Sequence, residues 1–528
     1  MSTVISNLPA EISDLLATPV RRLLRRGPVT CSPDTPLAEA AARMEAAGVG
    51  SIVVLSEDQV PIGIVTDRDL RARVVAVGRS PSDPVRTVMS SPLQTIDADE
   101  TAGEALVRML RHNIHHLPVL GSAPDEAAAP GAARGRPVLL GVVSSQDFLA
   151  FRQVHPLRLL REIEEQADVA GLAAASARVH DVVTFLYGEG VPPVQMCRVI
   201  SELHDAVVRR ALQLAQAELA EMGLELPGTA WCWLALGSEG RREQTLRTDQ
   251  DNALVYADPG AGQVSPASLE RMTRRVTDIL EACGIPRCSG GIMASEPNWR
   301  MSESGWMQLV ADARRDPFGK LFVRAAALLD ARPLAGDLEL GRRLARRVRE
   351  ELAADGFFMR RMAEEVARVP LPLSPLGGLA VPRWGPQRGR LPIKTRALNP
   401  LVAGVRVMAL EHGVEAVNTL ERIEALTRLG ALRRVGLAAD LPQAFETLLG
   451  YRIVAELEQQ AAETPAHPGE PAQRAYPAYA RLPSKPAAVP QGAALNVRRL
   501  SPSQKAALVS ALNTVRTLQE VLRRAYAI

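Results

Sequence analysis

Residues 30–55 overlay residues 95–120 at a constant offset of 65, so the first third of the chain must fold as two copies of one unit. Thr30 falls on Thr95, Asp34 on Asp99, Glu39 on Glu104, Met44 on Met109 and Val54 on Val119. Each copy opens with a turn and an amphipathic helix, Leu37–Ala47 and Ala102–Arg111, in which Thr35 is the expected N-cap and Pro36 the first helical position of the first copy. An apolar strand follows, Ser51–Leu55 and His116–Leu120, then a turn, a second strand and a further helix (PIGIVTDRDLRARV and LLGVVSSQDFLAF). Between Gly121 and Arg136 the second copy inserts an Ala/Pro/Gly-rich stretch with the composition of a solvated loop.

Both copies end in G-[IV]-V-[TS]-x-x-D: Gly63, Thr66 and Asp69, then Gly141, Ser144 and Asp147. A hydroxyl at a strand end and a carboxylate one turn into the next helix are expected to face the cleft between copies. There the carboxylate can accept from two ribose hydroxyls, and the hydroxyl with the helix N-terminus favours phosphate. Helix capping by the same Thr and Asp is the plainer alternative. With these motifs the segment 20–152, in copies 20–75 and 85–152, resembles a tandem pair of cystathionine-β-synthase (CBS) domains. The resemblance implies an adenine nucleotide as regulatory ligand, held by Thr66, Asp69, Ser144 and Asp147, and a homodimer formed through the pair. His112, His115 and His116 cluster in sequence, but two of them run into a strand, so packing or solvent is expected rather than metal.

A helical pattern occupies 155–225 and then gives way, within 226–345, to the apolar run Trp231–Leu236, broken at Gly237-Ser238. GSEGRREQTLRT leads to Asp249-Gln250-Asp251 and a second apolar strand, Ala253–Tyr256. Glycine lets the backbone approach a triphosphate, and the serine N–H and hydroxyl can donate to its oxygens. Aspartates two apart on a strand share one face and can hold paired divalent ions. A hairpin with a polar loop and solvated acids is the alternative, but a stretch dense in Gly, Arg and Glu between two very apolar strands is a costly choice for a passive loop.

The ordered strand–GS–loop–DxD–strand string resembles the polymerase-β-like nucleotidyltransferases. GSEGRREQTLRTDQDNALVY, CSGGIMASEPNWR (288–300), DARPLAGD (330–337), LPIKTRALNPLV (391–402) and NTLERIEAL (418–426) are similar to the nucleotidyltransferases related to PII uridylyltransferase and glutamine-synthetase adenylyltransferase. Many such proteins place a cyclic-nucleotide-binding domain ahead of the CBS pair, an input expected to be absent here. The resemblance implies catalytic and metal-binding roles for Asp249 and Asp251, and NTP binding by Gly237, Ser238, Arg241 and Arg242. Glu243 would brace an arginine, although a surface ion pair is an equal reading for each of these three. A third carboxylate usually stands on a following strand, but the segment expected there, Arg287–Ala294, carries no acid. Glu296 and Asp330 are the candidates nearby, with Asp330 equally placed to cap a helix or pair with Arg332.

From 346 to 528 a helical substrate-binding domain is expected, with 369–393 as a long loop, Pro/Ala-rich 462–492 as a linker and Pro502–Tyr526 as a final helix. Lysine occurs only at 320, 394, 485 and 505, so Lys394 stands out as a compact cation that can reach a phosphate, or as coincidence. The five cysteines form no C-x-x-C pair, which argues against zinc and a disulfide framework. Net charge of +3 and 4% aromatics give no basic stripe for nucleic acid. No signal-type segment opens the chain, which starts with a helix or tail over 1–19, and no run approaches the ~20 apolar residues of a membrane helix. The expectation is therefore a cytoplasmic multidomain α/β protein without membrane contact. Its parts are a CBS pair, a mixed-sheet transferase domain and an all-α C-terminal domain. It would be a Mg²⁺- or Mn²⁺-dependent enzyme that moves a nucleoside monophosphate from an NTP to a small molecule or a regulatory protein. The alternative is a non-catalytic nucleotide sensor on a degenerate transferase fold.

Overall fold

Strand pairing in the first unit keeps the offset of the repeat. β1 (Thr30–Cys31), β2 (Ser51–Leu55) and β3 (Pro61–Thr66) form one sheet in that order, and β4 (Ile96–Asp97), β5 (His116–Gly121) and β6 (Val138–Ser144) form another. Cys31 faces Val54 and Val54 faces Gly63, just as Ile96 faces Val119 and Val119 faces Gly141. The helices Leu37–Ala47 and Ala102–His112 each bury one stripe, Leu37, Ala40 and Met44 in the first and Leu106, Met109 and Leu110 in the second. Both stop on a left-handed residue, Gly48 or Asn113, the two residue types for which that conformation costs least. Their starts differ. Thr101 caps the second helix by accepting from the Glu104 N–H at 3.2 Å. In the first copy Pro36 itself occupies the N-cap, and the Thr35 hydroxyl is spent on the Ser32 N–H at 3.1 Å, which corrects the expected Thr35 cap.

The computed structural model describes residues 18–24, 26–121, 138–145, 147, 156–188, 190–224, 231–246, 248–258, 266–316, 318–374, 377–385, 387–463 and 493–528. The expected Ala/Pro/Gly loop, the second-copy final helix, nearly all of the 1–19 tail and nearly all of the 462–492 linker lie outside them. The chain divides into two units, residues 1–161 with 185–191, and residues 162–184 with 192–528.

In the second unit the long helix Pro193–Glu221 starts on Pro192-Pro193 and buries Val199, Leu203, Val207 and Ala211. The sheet runs in the order β10 (Arg332–Gly336), β7 (Trp231–Ala235), β8 (Asn252–Tyr256), β9 (Arg300–Ser302). β7 is antiparallel to both its neighbours and β8 is parallel to β9. Every residue of β7 is buried, which is why it reads as a continuous apolar run rather than an alternating one. Two expectations change here. Arg287–Ala294 is not the strand beyond β8, and DARPLAGD, where the sequence offers Asp330 as a helix cap or a partner of Arg332, supplies edge strand β10.

The C-terminal region is helical: Leu338–Ala353, Gly356–Arg368, Asn399–Glu411, Thr419–Arg428, Asp440–Glu463 and Pro502–Tyr526. Asp337, Asp355, Asn418 and Ser501 cap four of these through side-chain oxygens. The last helix buries Leu508, Leu512, Val515, Leu518 and Leu522, and Gln519 Nε2 donates to the carbonyls of Val366 and Val369. β11 (Arg390–Leu391) pairs antiparallel with β12 (Leu495–Asn496). Trp384, in the long loop expected over 369–393, is 83% exposed. One stretch, Val169–Gly188, is long and apolar enough to cross a membrane by length and composition, although Arg178, His180 and Asp181 interrupt its apolar run. It is built as two helices, Val169–Ala177 and Val179–Gly188, that meet at Arg178.

Candidate active site

Two backbone constraints bring the glycine turn and the aspartates together. The Leu236 N–H donates to the Asp251 carbonyl at 2.8 Å, holding the end of β7 against the start of β8. Gly237 then turns at φ +52°, and a Cβ there would sit 2.7 Å from Asp251 Oδ2. Any side chain would therefore fill the space in front of that carboxylate, so glycine is required on both counts. Between the aspartates, Gln250 is buried: its Nε2 donates to the Thr277 and Ile285 carbonyls at 3.1 and 2.9 Å, and its N–H to Pro286 at 2.9 Å. With Gln250 turned inward, the alternation of extended backbone directs Asp249 and Asp251 to the opposite face, where both are half-buried.

Cys288 stands beside them. Its Sγ and one oxygen from each aspartate lie within 4.8 Å of one another. Burial, and then the neighbouring Asp249, raise the Asp251 carboxyl to about 6, while the Cys288 hydrogen bond, Lys394 and Arg241 act the other way. Burial first, then Asp251, push the Cys288 thiol to about 12. Glu239, in the turn after Gly237, is also held well above the usual carboxylate range by burial and by Asp205, and its Oε1 has no hydrogen-bond partner among the described residues.

The other sequence candidates separate into distinct settings. Ser238 is half-buried in the turn, and its carbonyl accepts from the Glu243 N–H at 2.8 Å. Arg241 is fixed at two nitrogens, Nε to Glu243 at 2.8 Å and Nη1 to Asp330 at 2.6 Å, and its carbonyl accepts from Asn418 Nδ2 at 2.8 Å. Glu243 also accepts from the Thr419 N–H at 2.6 Å, so it braces the arginine and ties the turn to the helix Thr419–Arg428. Arg242 has φ +55° and places Nε 3.7 Å from Glu202, away from the phosphate role expected of it. Glu296 is exposed at the start of a short turn.

Asp330 is buried and engaged by Arg241, Arg406 and Arg422. Burial alone would raise its pKa, but the three guanidinium groups hold it down to about 2. Its lone pairs are committed, which removes it as third metal ligand; it is an anchor for arginines. A cavity of about 630 Å³ adjoins these groups, lined by Gly237, Arg241, Asp251 and Arg406 on one side and by Phe318 and Phe322 on another. Cys288 and Arg406 were not singled out from the sequence. Cys288 lies inside the CSGG string, and Arg406 carries no local signal.

In the CBS unit both copies make the same closure. Thr66 N–H and Oγ donate to Asp69 Oδ2 at 3.0 and 2.7 Å, and Ser144 N–H and Oγ donate to Asp147 Oδ2 at 2.7 and 2.8 Å. A cavity of about 950 Å³ is lined by Ser144, Asp147, Asp67, His116 and Gly50, but not by Thr66 or Asp69. Thr66 and Asp69 form a capping box, and Asp67 rather than either of them lines this cavity.

Three family matches tile the chain. Residues 20–76 and 85–153 match the CBS domain, 177–320 match the family described as "Putative nucleotidyltransferase DUF294", and 356–468 match the "Putative nucleotidyltransferase substrate binding domain". An uncharacterised protein of Methanopyrus kandleri is 35% identical over 148 residues, 28% of this chain and 67% of that one. An inosine-5'-monophosphate dehydrogenase of Mycobacterium bovis is 34% identical over 131 residues, 25% of this chain and 21% of its own length. Among solved structures, a CBS domain protein from Pyrobaculum aerophilum complexed with AMP is 26% identical, covering 27% of this chain and 99% of that one with a TM-score of 0.22. The chain thus joins a CBS domain pair to a domain of the kind described as "Putative nucleotidyltransferase DUF294" and to the "Putative nucleotidyltransferase substrate binding domain" that follows it.

Proposed function

We propose that this protein transfers a nucleoside monophosphate from a nucleoside triphosphate to a hydroxyl of a protein or small-molecule acceptor. The observation that carries the reading is the close packing of Asp251 against the Gly237 turn, with Asp249 beside it on the same face. The two carboxylates fit a divalent cation, which would neutralise phosphate charge and activate the acceptor oxygen when bound to Asp249 and Asp251. The Gly237–Ser238 turn would receive the triphosphate tail. Arg241, its guanidinium fixed by Glu243 and Asp330, would present a preorganised positive charge to it. Lys394, near enough to favour the charged form of Asp251, is placed to add a second. In the transfer the acceptor oxygen bonds to the α-phosphorus as the bond to pyrophosphate breaks, and the hydroxyl proton leaves to solvent.

An adenine nucleotide in the CBS cavity, held through Ser144, Asp147 and Asp67, would set the rate, in a cytoplasmic homodimer associated through the CBS pairs. The likeness to PII uridylyltransferase favours a small regulatory protein as acceptor. The test is incubation of the protein with labelled NTPs and a cell lysate. Labelling should fall at least about 100-fold in Asp249→Asn/Asp251→Asn, as expected when electrostatic stabilisation of the transition state is lost. No labelling by the wild type, or equal labelling by the variant, would remove the enzymatic claim. Two observations favour a second reading, a nucleotide sensor without turnover: Asp330 is committed to arginines and β9 carries no acid. Cation-dependent NTP binding in a calorimeter without pyrophosphate release would support that sensor instead.

A further inference from the structure

The third donor that converges with the two aspartates is a thiol rather than a carboxylate. The segment that carries Cys288 is held there by backbone hydrogen bonds. The Gln250 N–H donates to Pro286 at 2.9 Å and the Asn252 N–H to Ile292 at 3.1 Å, so hydrogen bonds on either side of Asp251 fix the segment that holds Cys288. The Asn252 side chain adds a bond from the Ala294 N–H at 2.8 Å. Gly237 opposite keeps the space before Asp251 clear. Among the described residues no other three His, Cys, Asp or Glu side chains converge in this way.

We propose that Asp249, Asp251 and Cys288 form one mixed oxygen–sulfur cation site that prefers a borderline ion, Co²⁺ or Zn²⁺, over Mg²⁺. The inference rests on reading the site as metal-dependent, and it names the ion class. Mg²⁺ demands oxygen ligands in near-ideal octahedral geometry and dehydrates reluctantly, whereas Zn²⁺ and Co²⁺ accept sulfur beside oxygen. On binding, the thiol hydrogen bond to Asp251 is exchanged for a sulfur–metal bond and the proton passes to solvent. Of the three ligands, Asp251 lines the cavity that Gly237 and Arg241 also line, from which a substrate would reach such an ion.

Titration of the full-length protein with Co²⁺ tests this. A sulfur-to-cobalt charge-transfer band in the near ultraviolet is expected, together with visible ligand-field bands. In Cys288→Ser the near-ultraviolet band should vanish. Co²⁺ affinity should fall by at least about tenfold, the lower end of what loss of even an outer-shell partner produces, while Mg²⁺ affinity changes little. The wild-type spectrum is decisive without any variant. Co²⁺ bound with ligand-field bands, weakened by Asp249→Asn/Asp251→Asn but lacking the charge-transfer band, would overturn the thiol ligand and leave the metal-dependent transferase standing. Absence of Co²⁺ and Mg²⁺ binding alike would overturn both.

Discussion

At Asp330 one carboxylate serves three guanidinium groups, from Arg241 in the glycine turn, Arg406 and Arg422. Removing one partner of a buried ion cluster leaves like charges facing each other without compensation. Asp330→Asn is therefore expected to lower stability by about 3–5 kcal/mol, read from urea unfolding, while divalent-cation affinity changes little. If cation affinity fell sharply and the urea midpoint stayed, Asp330 would be a metal ligand after all. The sequence showed this residue only as an acid beside Arg332. Its true partners lie 76, 89 and 92 positions away, beyond any local spacing argument. Asp249 and Asp251 were legible because their pairing is local, a two-residue step on extended backbone. Cys288 was passed over because a lone thiol carries no spacing signal of its own.

The helix Thr419–Arg428 reaches the turn through its first residues. Asn418 Oδ1 caps it by accepting from the Leu420 and Glu421 N–H groups at 3.1 and 3.2 Å, while Nδ2 donates to the Arg241 carbonyl. The two jobs can be pulled apart. Asn418→Ala should cost about 1–2 kcal/mol as a lost cap and also weaken nucleotide binding by releasing Arg241. Asn418→Asp should restore the cap but not the donation, so stability returns and nucleotide affinity does not; recovery of both would rule out the coupling. Elements with a sustained period were readable end to end, Leu37–Ala47 and Pro502–Tyr526 among them. β10 was not, because ARPLAG carries a proline and a glycine that argue against a strand. The structure tolerates Pro333 by putting it on the sheet edge beside a register shift. Arg287–Ala294 misled in the opposite sense: its apolar residues do lie beside β8, but Gly291 at φ +69° breaks the ladder, and the regular partner is the three-residue β9, too short to show a period.

Over the whole molecule, the order of its parts was written in the repeat and in the GS…DxD string, and the family matches fall in the same order. What could not be read was which groups inside each part face a cavity, since that depends on contacts between distant segments. The two units carry separate sheets, and multidomain proteins commonly unfold in more than one step. Calorimetric scans should therefore show two transitions, with AMP raising only one. At a hundredfold excess over Kd the gain is about 2.7 kcal/mol. Asp147→Ala should abolish the shift; a shift that survives would place the ligand away from the cavity lined by Ser144 and Asp147.

The helix Pro502–Tyr526 is secured by five buried side chains and by two donations from Gln519, and β12 is secured by its pairing with β11. Each of those contacts is made between residues on either side of 464–492. Nicking the polypeptide within that interval should therefore leave both pieces associated, and the tail from 493 onward could be supplied as a separate peptide. A cut there would turn one polypeptide into two that recognise each other through a helix face and a strand pair.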